Sequence, residues 1–257
     1  MSPTLRDRIG LCSVTFRALP ARQVAEDAAA AGLRLVEWGA DVHAPPRSAD
    51  ALRQVREETA ARGLTTCSYG SYWRAGQDTA GTADFAVVAA AAEALGAARI
   101  RVWAGTEGSA GASARTRANV TASLREAAEI AASRGLSVAL EFHSGTLADT
   151  PAATVRLLDD VGHDALSTYW QPPVDEPDDR ALHGLSTMLE RVSAIHVFSW
   201  WPGQTRLPLP ERERLWRPVL DLVAGTRPVD LLLEFVPDDD PAVLPRETAT
   251  LLRWLGS

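Results

Sequence analysis

Eight short apolar runs, each followed by a segment of helical period, constrain this chain more than any single motif does. The runs are RIGLCSV (8–14), LRLVEW (33–38), LTTCSYG (64–70), ARIRVW (98–103), LSVALEF (136–142), ALSTYW (165–170), SAIHVFSW (193–200) and VDLLLEF (229–235). The helical segments fall at 19–32, 48–62, 80–95, 113–134, 151–161, 179–190, 211–223 and 241–255. Pro20 near the first helix start and Gly32 past its end are the expected punctuation. Runs that are apolar throughout belong to strands covered on both faces, hence to a parallel sheet wrapped by helices. Eight such units close most simply into an α/β fold, a single (β/α)8 TIM barrel over 1–257. An open doubly wound sheet would announce a Gly-rich dinucleotide turn after its first strand, and SVTFRALP contains no glycine. A chain of 257 residues with 46% hydrophobic content suits one domain of this kind. The longest irregular stretch, SWWPGQTRLPLP (199–210), is too short for a linker and reads as an active-face loop.

Charge removes several functions. Thirty-three acidic residues against 26 basic ones give a net charge of -7, which disfavours a nucleic-acid partner. All the basic residues are Arg, so Schiff-base chemistry and a P-loop are excluded. Cys12 and Cys67 lack a C-x-x-C neighbour and lie in apolar runs, as buried free thiols of a reducing cytosol would. No signal-peptide core opens the chain, and no apolar run reaches the roughly 18–20 residues of a membrane helix. A soluble cytoplasmic protein without a membrane partner is expected.

In a barrel of this type the chemistry sits at the carboxyl ends of the strands, and those ends are polar here. Glu37 closes the second run, Glu141 and His143 close the fifth, Gln171 follows the sixth, His196 lies in the seventh and Glu234 closes the eighth. A carboxylate taken out of water needs a cation or a proton to offset its lost hydration. Any one of these groups alone reads as a strand-end salt bridge to an arginine. Glu141, Gln171, His196 and Glu234, on four consecutive strands, point instead to one shared divalent ion: Mn, Mg, Zn or Co.

The stretches VALEFH, TYWQPP, AIHVFSW and LLLEF resemble the last four strands of the xylose isomerase-like sugar phosphate isomerase/epimerase superfamily. The resemblance spans nearly the whole chain. It implies one divalent metal held by Glu, Asp, His and Glu, matched here by Glu141, Gln171, His196 and Glu234. Gln171 departs from the pattern, being a neutral amide where the family has Asp, although a slip of one or two residues within YWQPP would change the match. The resemblance further implies a sugar-like or cyclitol hydroxy-carbonyl substrate chelated by the metal, enolised and reprotonated, with Glu141 and Glu234 exchanging the proton. Homo-oligomers are common in that superfamily.

Other residues are candidates for substrate binding. His143 either holds a substrate hydroxyl or orders its loop. Glu37 and His43, in VEWGADVHAPP, either reach the pocket or make a salt bridge or a helix-start contact. Trp38, Trp73, Trp103, Trp170, Trp200 and Trp201 lie at or just past predicted strand ends, where flat rings suit the C–H face of a sugar. Two or three of the six are expected to touch ligand, and the others to cap the core. Arg74 and Arg206 could bind a phosphate or carboxylate, and GTEGSAGAS (105–113) could cradle an anion on its amides. A trinuclear-zinc endonuclease needs more ligands than five histidines and this acidic surface offer, and no G-x-S-x-G nucleophile elbow occurs. A metal-dependent dehydratase or lyase, and a non-catalytic sugar-binding barrel, are the alternatives to an isomerase.

Overall fold

The computed structural model describes residues 4–77, 82–226 and 228–256. Eight parallel strands close into a barrel in the order β1-β10-β7-β6-β5-β4-β3-β2. They are β1 (Ile9–Cys12), β2 (Leu35–Gly39), β3 (Thr65–Arg74), β4 (Arg99–Trp103), β5 (Ser137–Leu140), β6 (Leu166–Trp170), β7 (Val192–Val197) and β10 (Asp230–Leu233). A short antiparallel ribbon, β8 (Ser199–Trp200) with β9 (Arg206–Leu207), rises after β7. The stretch read from sequence as an irregular loop over 199–210 therefore carries a ribbon, with Ser199 opposite Leu207 and Trp200 opposite Arg206.

The outer layer consists of α1 (Ala21–Ala30), α2 (Ala49–Ala61), α3 (Thr82–Leu95), α4 (Ala114–Ser133), α5 (Pro151–Val161), α6 (Asp178–Met188), α7 (Glu213–Ala224) and α8 (Leu244–Trp254). The predicted start of the third helix, at 80, lies outside the described residues. Local chemistry fixes the helix ends. Thr150 Oγ1 accepts from the Ala153 amide with Pro151 in the first turn, and Gly162 ends α5 in the left-handed region at φ 61°. Among the described residues, no helix is long and apolar enough to cross a membrane.

The strands are sorted by parity. Val36, Trp38, Ile100, Val102, Val138, Leu140, Trp170, Ile195, Val197, Leu231 and Leu233 belong to the main apolar core, which the helices cover. The opposite parity faces the barrel axis, where Cys67, Ala139, Tyr169, Ala194 and Leu232 form a small separate cluster. These are mostly small side chains, and the space they leave is filled by charge. Asp230 at the base of β10 pairs with Arg99 of β4 at 2.6 Å and with Arg8 at 2.7 Å. Arg99 Nε donates to the Tyr169 hydroxyl at 3.0 Å, and that hydroxyl donates to Glu37 Oε2 at 2.6 Å.

This base is an unforgiving place to lose a charge, because removing one member of a buried pair strands the other. Asp230→Ala is expected to destabilise the fold by about 3–5 kcal/mol, read from the midpoint of urea unfolding at constant m-value.

Candidate active site

Arg101 occupies the upper part of the lumen. Its Nε donates to Glu37 Oε1 at 2.8 Å and its Nη1 donates to Glu141 Oε2, so one guanidinium bridges carboxylates from β2 and from just past β5. Gly70 of β3 makes room for it: a Cβ there would lie 2.7 Å from Arg101 Nη2 and 3.1 Å from Glu37 Oε1. Glu37 is 0% exposed. Burial alone would raise its pKa, but Arg101, His196 and the Tyr169 hydroxyl together hold the carboxyl well below its ordinary value of 4.5. Cys12 Sγ donates to Glu37 Oε1 at 3.2 Å, and burial followed by the charge of Glu37 pushes the thiol far up. Both cysteines are buried and free of disulfides.

His196 lies between two acidic groups. Its Nε2 faces Glu37 Oε1 at 3.4 Å, while Nδ1 lies 3.0 Å from Gln171 Oε1 and 3.3 Å from Glu234 Oε2. Burial lowers its pKa, but the charges of Glu234 and Glu37 outweigh this and the net direction is upward. Glu234, 4% exposed, has His196 as its ion-pair partner among the described residues. Burial raises the Glu234 pKa, and the nearby charge of Glu141 adds to the rise against the opposing pull of His196 and Arg101. Chain geometry just beyond Glu234 is strained: Phe235 takes a left-handed φ of 47°, with its amide held by Thr15 Oγ1 at 3.1 Å. This turn ends β10 and packs the Phe235 ring 4.9 Å from Trp200 and 5.8 Å from Phe198.

A cavity of about 430 Å³ opens above these groups, and its lining includes Arg101, Trp103, Glu141, His143, Gln171 and Glu234. Larger recesses of about 490 and 600 Å³ lie elsewhere on the surface, but neither gathers a buried carboxylate and imidazole. All four residues expected to share a metal are thus in or against one site, three lining the cavity and His196 at its floor. Two groups offer ligands for a divalent ion. Cys12, Glu37 and His196 have potential ligand atoms within 4.8 Å of one another, but Glu37 is already neutralised by Arg101 and the Cys12 thiol is held protonated. The other group is Gln171 Oε1, His196 Nδ1 and Glu234 Oε2. Metal–ligand bonds of about 2.1 Å put adjacent ligands roughly 3 Å apart, and the distances of 3.0 and 3.3 Å from His196 Nδ1 to the Gln171 and Glu234 oxygens match. Glu37 behind His196 Nε2 is the carboxylate that would orient such a ligand.

Several expected site residues lie elsewhere. Trp38 and Trp170 are on the outward parity: the Trp38 indole donates to Thr59 of α2 at 3.0 Å, and Trp170 packs edge-on against Trp216 of α7. Trp73 falls inside β3, which runs four residues past its predicted end, and packs on Phe85. His43 is buried between Ser13 Oγ and the Leu19 carbonyl. Glu37 lies beneath the cavity as an ion-pair member. Arg74 stacks 4.0 Å over Trp103 and donates to the Gly105 carbonyl, and Arg206 pairs with Asp239, so neither lines the cavity. Of the tryptophans, Trp103 and Trp200 line it, as does His143, whose ring lies 4.5 Å from that of Trp103. Sequence reasoning passed over Arg101, Arg17, Tyr72 and Asp149, all of which line the cavity. The alternation in RIRVW was the available signal, since two arginines at i and i+2 in a covered strand must share the lumen face.

Residues 25–173 match the Xylose isomerase-like TIM barrel family, and the chain belongs to it. Solved structures with the same fold include the probable 3-DHS dehydratase AsbF from Bacillus anthracis, at 18% identity, TM-score 0.80, covering 95% of this chain and 98% of that one. A xylose isomerase-like protein from Mycobacterium smegmatis in complex with magnesium is 16% identical, TM-score 0.72, with 96% of each chain covered. D-allulose 3-epimerase from Methylomonas sp. is 16% identical, TM-score 0.72, over 99% of this chain and 100% of that one. No protein of curated function matches the chain in sequence.

Glu37 sets a pH dependence whose sign follows from its pKa. The folded value lies below 4.5, so the ionised form contributes its full stabilisation above the unfolded value, and this is lost as pH falls through the lower folded value. Glu37→Gln is expected to lose about 3 kcal/mol at neutral pH. By urea unfolding, the difference from wild type should stay flat down to about pH 5 and shrink at more acid pH.

Proposed function

We propose that this chain is a divalent-metal-dependent isomerase or epimerase that enolises a hydroxy-carbonyl sugar or cyclitol. The observation that carries the reading is the convergence of Gln171 Oε1, His196 Nδ1 and Glu234 Oε2, with the Glu141 carboxylate lining the same cavity. A divalent ion bound there supplies Lewis acidity toward two substrate oxygens and acidifies the adjoining C–H. The chain's own residues handle the proton. Glu141, anchored by Arg101, is the acceptor and keeps the proton it removes, while Glu234, whose pKa burial raises, would carry a second proton and deliver it to the enolised carbon. Glu37 holds His196 from behind so that Nδ1 faces Gln171 and Glu234. The rings of Trp103, Trp200 and Phe235 form apolar walls against which the C–H faces of a polyol would pack. The names of similarly folded proteins, an epimerase acting on D-allulose among them, agree with this class of chemistry.

A dehydratase is the second reading. It is favoured by the similarly folded protein named as a probable 3-DHS dehydratase, and the Glu234 carboxyl on the cavity is the group that would face a departing hydroxyl.

The test is incubation with ketoses and inososes in D₂O with Mn²⁺, following exchange of carbon-bound hydrogen by NMR. Exchange is expected, is abolished by chelator, and falls by about 10²–10⁴ in Glu141→Gln and Glu234→Gln. Exchange at the native rate in either variant would overturn the proton-transfer assignment, and water elimination without epimer formation would establish the second reading.

A further inference from the structure

We infer that the cavity selects an uncharged polyhydroxylated compound through Trp103, Asp149 and Trp200, and rejects phosphorylated or carboxylated analogues. The inference rests on the cavity being the substrate site and names the substrate class within that reading.

Three buried polar atoms on this one cavity have no hydrogen-bond partner among the described residues: Trp103 Nε1, Trp200 Nε1 and Asp149 Oδ1. An unmet buried donor or acceptor is destabilising, and native structures contain few of them. Here two obligate donors and one obligate acceptor line one cavity. Each is fixed in place by its surroundings. Arg74 and His143 pack on the Trp103 ring, and Phe198 and Phe235 pack on Trp200. Asp149 is pinned by its other oxygen, since Oδ2 accepts from the Ser109 amide at 2.9 Å. That contact also removes the Gly-rich segment 105–113 as a ready anion cradle, because a carboxylate of the chain itself already takes its Ser109 amide.

The charge of the lining points the same way. Glu141, Asp149 and Glu234 face the cavity against Arg17 and Arg101. Both arginines are committed: Arg17 to Asp41 and the Tyr72 hydroxyl, each at 2.7 Å, and Arg101 to Glu37 and Glu141. With a divalent ion balancing Glu141 and Glu234, Asp149 remains as uncompensated negative charge. A phosphate or carboxylate placed near it finds no spare guanidinium in the lining and one repelling carboxylate. A hydroxyl both donates and accepts, so the several hydroxyls of a neutral polyol suit both the indole N–H groups and Asp149.

The test is equilibrium binding to the Mn²⁺-loaded full chain, by calorimetry and by tryptophan fluorescence. The neutral probes are D-fructose, D-psicose and myo-inositol, and the anionic probes are D-fructose 6-phosphate and quinate. At least one neutral probe is expected to bind about tenfold or more tightly than either anionic probe. Asp149→Asn should weaken that neutral probe by about tenfold and narrow the gap to its anionic counterpart. Trp103→Phe and Trp200→Phe should each weaken it by a factor of about 5–10. Circular dichroism and melting temperature establish that each variant is folded, and the comparison between probes on wild type needs no variant. Tighter binding of an anionic probe, no saturable binding of any neutral one, or an unchanged affinity in folded Asp149→Asn overturns the inference. Binding without hydrogen exchange would sink the enolisation reading alone, whereas exchange confined to a phosphorylated ketose would sink this inference alone.

Discussion

The bridge from Glu37 through Arg101 to Glu141 is the interaction on which the rest of this molecule depends. Two carboxylates and a guanidinium taken out of water would each be strongly unfavourable alone, and together they are tolerated because every member is ionically paired. The bridge continues downward through the Tyr169 hydroxyl to Arg99 and Asp230, so the lumen is spanned by alternating charge where most barrels of this type carry layers of branched aliphatic side chains. Arginine suits this position better than lysine would. Its charge survives burial, and its planar fork reaches two acceptors at once. Small neighbours make the arrangement sterically feasible: Ala139, Ala194 and Cys67 lower down, and Gly70 beside Arg101 itself.

The candidate site is built on that rigid floor. Glu37 is shared, accepting from Arg101 and Tyr169 and facing His196 Nε2, so the same carboxylate that neutralises the lumen also orients the imidazole at the cavity floor. Anchoring of this kind positions catalytic groups more tightly than loops can. The walls are less regular. They come from the ribbon after β7, the left-handed turn at Phe235 and the loop that carries Asp149, so the proposed chemistry and the proposed selectivity would sit on separate parts of the structure.

Much of this was legible in the chain before any coordinates. Alternating apolar runs and helical segments marked all eight units, because a strand covered on both faces and a helix with one covered face leave different periodicities. That Glu141, Gln171, His196 and Glu234 gather at one cavity was legible because polarity at the end of an apolar run is costly without purpose. What failed to show is equally physical. Nearness to a strand end says nothing about which face a side chain takes, so Trp38 and Trp170 looked like rim residues although their parity sends them outward to α2 and α7. Arg101 was hidden within a largely apolar run, because two arginines among Ala98, Ile100, Val102 and Trp103 still leave a hydrophobic average. Asp149 lies eight residues past Glu141 in a loop, and only the folding back of that loop brings it to the cavity.

The charged column closes the far end of the barrel. A small molecule that enters above Arg101 meets a floor of bonded side chains rather than a tunnel, so whatever goes in must come out by the same opening. Arrival of a fresh molecule therefore has to wait for departure of the last one, and under the proposed activity traffic through this doorway would bound the rate however fast the chemistry became.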